Sequence, residues 1–103
     1  MAKKLNREKL RQKFTKHYKK MMKMLDTSFF AQEMTNIYLA TIGVTAKEYK
    51  ESNGVSNVLD NLSYSDLFRV VEAILYNCDL IKLGYHSEYR TVALRRHNDS
   101  III

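Results

Sequence analysis

A mainly α-helical domain of four to five helices in a compact bundle, closed by a C-terminal β-hairpin, is the fold class this sequence predicts. Apolar residues recur at steps of three and four through most of the 103 positions, the spacing of one face of a helix. Proline is absent and glycine occurs only at Gly43, Gly54 and Gly84, so few long irregular loops fit. Strand-like alternation is confined to the end of the chain, where three isoleucines follow a turn-forming stretch. With 46% apolar and 27% charged residues, the composition is that of a globular protein with one core, and a single domain over 1–103 is expected.

The first helix is expected from about Asn6 to Leu25, a basic N-terminal element within residues 1–25. Leu10, Phe14, Tyr18, Met21 and Leu25 recur at steps of 4, 4, 3 and 4 and form its apolar seam. Asp26, Thr27 and Ser28 offer caps for a second helix from Phe29 to about Ile42, which Gly43 stops. Thr45 and Glu48 have the spacing of a capping box, opening a short third helix that Asn53-Gly54 closes. A fourth helix is expected in the segment from Val55 to Leu62. Ser63 or Ser65 then caps a helix from about Asp66 to Asn77, with Leu67, Val70, Val71, Ile74 and Leu75 on one stripe. From residue 90 to 103 the alternation Thr91-Val92-Ala93-Leu94-Arg95-Arg96, the turn chemistry of His97-Asn98-Asp99-Ser100 and the terminal isoleucines predict a hairpin.

Charge is distributed unevenly along this framework. Ten of the seventeen Lys and Arg residues lie between Lys3 and Lys23, opposed there only by Glu8, which puts +9 on one segment of a chain carrying +6. The lysines occupy the circumference left free by the apolar seam, a pattern suited to a polyanion outside and the core inside. Lys9, Lys13, Lys16, Lys20 and Lys23 are the candidate phosphate contacts, joined by Arg95 and Arg96 at the tip of the expected hairpin.

The run Ile42-Gly43-Val44-Thr45-Ala46-Lys47-Glu48-Tyr49, then Asn53-Gly54-Val55-Ser56, Leu59, Leu62 and the helix from Asp66 to Asn77, resembles the small helix-turn-helix regulators of phages and mobile elements, of the Cro-like or winged kind. That resemblance implies a recognition helix near Val55–Leu62, with Ser56, Asn57, Asp60 and Asn61 on or near its reading face and the hairpin as a wing. The chain departs from the family's pattern at Lys50, Asn53 and Asp60, and the implied recognition segment carries no Lys or Arg.

Other chemistries have little to rest on. No glycine-rich phosphate loop, H-E-x-x-H motif, nucleophile elbow or telling carboxylate pair is present, so no enzymatic activity is expected. His17, His86 and His97 are scattered, and neither a metal nor a cofactor is expected. Cys78 reads as a small buried hydrophobe. No run of about 18 apolar residues suggests a membrane span, and a cytoplasmic location is expected. The sequence therefore points to a non-enzymatic DNA-binding transcriptional regulator, acting as a homodimer. The alternative is an inhibitor or adaptor that engages a host protein through its basic helix or its Phe and Met residues.

Overall fold

A computed structural model of the chain describes residues 6–25 and 30–101. Five helices follow in order: α1 (Arg7–Met24), α2 (Phe30–Thr41), α3 (Ala46–Asn53), α4 (Tyr64–Lys82) and α5 (Ser87–Ser100). α1 starts where Asn6 accepts the Lys9 backbone N–H at 2.8 Å, and it buries Leu10, Phe14 and Met21 from the expected seam. The proposed caps Asp26, Thr27 and Ser28, together with Phe29, lie outside the described residues. α2 ends as the Ile42 and Gly43 amides both turn back to the Tyr38 carbonyl, with Gly43 at a φ of +79°. The capping box of α3 is formed in full, and Gly54 closes that helix in the left-handed region.

Two expectations are corrected. Residues 55–62 form no α-helix: a turn in which the Asn61 and Leu62 amides meet the Val58 carbonyl buries Val58 and Leu62, and the segment is tied down from outside. The Arg7 guanidinium donates to the Leu59 and Leu62 carbonyls, and Tyr49 donates its hydroxyl to Asn61 O at 3.0 Å. Residues 87–100 form α5, and among the described residues there is no strand; neither a hairpin nor a wing exists there. Ile102 and Ile103 lie outside the described residues. Alternation misleads at Thr91–Arg96 because the buried stripe of α5 is Arg90, Ala93 and Leu94, so that a buried arginine conceals a helical period.

α4 is the central element, with α1, α2 and α5 all packed against it. α1 runs parallel to α4, because Arg7 reaches Leu62, Lys13 reaches Glu72 and the Cys78 thiol reaches the His17 carbonyl in ascending order. α5 returns antiparallel after the short link at 83–86, with Arg69 near the start of α4 donating to Asn98 O at 2.9 Å near the end of α5. α2 begins where Phe30 meets Tyr18 edge-on at 4.9 Å and carries Ile37 and Tyr38 into the core. No described helix is long and apolar enough to cross a membrane.

Candidate nucleic-acid interface

The steps of 4, 3, 4 and 3 between Lys9, Lys13, Lys16, Lys20 and Lys23 set all five on one stripe of α1, beside its buried seam. At 1.5 Å per residue the stripe runs about 21 Å, with the Cβ atoms of successive lysines about 5–6 Å apart. Lys9, Lys16, Lys20 and Lys23 are exposed and form no ion pair among the described residues. Lys13 is half-buried, with Glu72 of α4 at 3.9 Å. Arg11, which pairs with Asp60 at 3.2 Å, and Arg7 sit on the opposite flank of the seam, engaged with the 55–62 loop.

The parallel packing of α1 and α4 adds a cation that the sequence pattern does not reveal. Lys82 in the last turn of α4 meets Lys20, and the close approach of the Lys20 ammonium holds its pKa below the usual lysine value, with Asp79 pulling the other way. Positive charges crowd here beyond what local carboxylates neutralise, the condition under which an external anion is stabilised. The negative ends of two helix dipoles account in part for Lys23 and Lys82, which lie in last turns. They do not account for Lys9 and Lys16, too far back along α1 for an effect confined to the terminal turn.

His17 lies between this stripe and the core. Burial, followed by Lys16, Lys20 and Lys13, pushes its pKa down, and its Nδ1 is buried without a hydrogen-bond partner. Cys78 is buried against the His17 carbonyl, and that burial pushes the thiol up, away from nucleophilic chemistry. Among the described residues no three His, Cys, Asp or Glu side chains gather to hold a metal.

The remaining sequence-predicted residues do not join the lysines. Ser56, Asn57 and Asn61 are exposed on the loop held by Arg7 and Arg11, across the apolar seam from the stripe. Their amides have local work: Asn57 Oδ1 accepts the Asp60 N–H at 3.0 Å, and Asn61 Nδ2 donates to Asn57 O at 2.6 Å. Arg95 and Arg96 are exposed on α5, whose main packing partners are α2 and α4. The buried group of Glu33, Asn77 and Arg90 is also absent from the sequence expectations. A charged residue in an apolar stripe on each of two helices was the available signal.

Comparison with known proteins finds no matching family model, no matching curated protein and no matching solved structure.

Proposed function

We propose that the protein is a non-enzymatic DNA-binding protein of regulator type that grips the phosphate backbone with the lysine stripe of α1. The observation that carries this reading is the row Lys9, Lys16, Lys20 and Lys23, exposed and without ion pairs among the described residues, extended by Lys82. A straight row of flexible ammonium groups suits a linear polyanion, since each phosphate engaged releases condensed counterions. Ammonium groups are point charges with no bidentate fork, so the stripe supplies affinity and position and little sequence discrimination. Base reading by Asn57 and Asn61 is not part of the proposal, because those amides hold the loop together.

Fluorescence anisotropy with a random-sequence duplex at two salt concentrations tests it. Dissociation constants on the order of 10⁻⁶ to 10⁻⁴ M that rise steeply with salt are expected for binding of this kind. Absence of binding at low salt would overturn the reading and leave an acidic protein surface as the stripe's partner.

A further inference from the structure

The outward face of α5 is apolar at its centre and charged at its ends, and we propose that it is a homodimer seam whose occupant is a second copy of α5 packed antiparallel. Tyr89 and Val92 of α5 are 53% and 50% exposed, Tyr85 in the link just before the helix is 42% exposed, and the Tyr85 and Tyr89 rings stack at 4.5 Å. Glu88, Arg95 and Arg96 are also exposed and form no ion pair among the described residues.

The arrangement of these residues selects the occupant. At 100° per residue, with Val92 at the centre of the face, Glu88 and Arg95 fall on one flank and Tyr89 and Arg96 on the other. A two-fold axis at Val92, perpendicular to the helix, brings same-flank residues of the two copies together at opposite ends. Glu88 of one copy then stands opposite Arg95 of the other, and Tyr89 of one opposite Arg96 of the other, so each ion pair and each cation–π contact occurs twice. Parallel pairing would instead set like charges side by side. Beside Val92 and Tyr89 a cleft of about 280 Å³, bounded also by Tyr76, Ala93 and His97, has room for an incoming side chain.

The seam is independent of the DNA reading, because it uses α5 and leaves the α1 stripe uncovered. A contact along one helix of 14 residues, about 21 Å, is small, so association in the micromolar range is expected. Sedimentation equilibrium between about 10 μM and about 1 mM should show monomer passing to dimer. Glu88→Arg and Arg95→Glu should each raise the dissociation constant about tenfold, the equivalent of ~1.4 kcal/mol, and the double exchange should restore it. Val92→Arg should abolish the dimer. All three positions are exposed, and circular dichroism checks that each variant keeps its helices. Wild-type protein that stays monomeric over that range overturns the proposal and returns the face to a nucleic-acid or heterologous protein partner. A dimer that survives Val92→Arg, or a double exchange that fails to rescue, also overturns it.

Discussion

Glu33 of α2 and Arg90 of α5 form an ion pair inside the protein, at 5% and 8% exposure, with Arg90 Nη2 at 2.8 Å from Glu33 Oε2. Arg90 Nε and Nη2 also donate to Glu33 Oε1, Asn77 Nδ2 of α4 donates to the same oxygen at 2.8 Å, and Arg90 Nη1 donates to Tyr85 O at 2.7 Å. Three helices are thus tied at one carboxylate. Removing one partner leaves the other charge desolvated, so Arg90→Met or Glu33→Gln should cost about 3–5 kcal/mol, a large part of the roughly 5–15 kcal/mol that holds a domain together. Replacing both with Met should cost less than either single change, because no unpaired charge remains. Urea denaturation measures all three variants, and a near-zero cost for Arg90→Met would show that the carboxylate reaches water.

The same residue explains where the sequence misleads. In α1, α2 and α4 the core face is written mainly in apolar residues, with Glu33, Thr41 and Asn77 as the polar exceptions, and periodicity finds the helix ends to within two residues save at the end of α4, which runs to Lys82 instead of stopping at Asn77. In α5 the buried set is Arg90, Ala93 and Leu94, while Val92 faces outward, so hydropathy along the chain alternates as in a strand. Val58 and Leu62, four apart and both buried, imitate a helical face in a segment whose shape is set by Arg7, more than 50 positions away. The lysine stripe was legible because it depends on α1 alone. Lys82 was not, because its approach to Lys20 depends on how α1 and α4 pack.

Salt dependence should separate the stripe from the other cations. Every phosphate-binding cation removed should flatten the log–log salt slope by about 0.9, so Lys16→Ala, Lys20→Ala and Lys23→Ala together should reduce it by roughly 2.7. Lys47→Ala with Lys50→Ala, on α3, should leave the slope unchanged. Equal effects per lysine removed from the two sets would show a response to net charge alone and would remove α1 as the binding element.

α3 buries no residue fully, so its persistence rests heavily on its caps. Thr45 Oγ1 accepts the Glu48 N–H at 3.1 Å, and Glu48 Oε1 accepts the Thr45 N–H at 2.9 Å. That backbone hydrogen bond from Thr45, followed by the side-chain one, holds the Glu48 carboxyl below its ordinary value of 4.5. A depressed carboxyl stabilises the folded form fully above 4.5 and loses that contribution as pH falls through its folded pKa. Thr45→Ala should cost about 1 kcal/mol and speed amide exchange over residues 46–53. In the wild type the same amides should lose protection on acidification below 4.5, whereas Glu48→Gln should show no such acid dependence there.

His17 reports on the stripe from within. Its pKa is depressed from 6.5, first by burial and then by Lys16, Lys20 and Lys13, and its unpartnered Nδ1 has no acceptor for an added proton. Between 6.5 and the lower folded value the unfolded chain binds a proton that the folded chain resists. Stability is therefore full above 6.5 and declines as pH falls through that window. Melting temperature should drop more between about pH 7 and about pH 5 in the wild type than in His17→Gln. Bound phosphates would offset the lysine charges without altering the burial, so DNA should raise the His17 pKa part of the way toward 6.5. By linkage, the affinity for duplex should then increase on acidification through the same window. NMR titration of His17 with and without duplex measures the shift directly, and an unchanged pKa in a saturated complex would mean that the phosphates lie elsewhere on the protein.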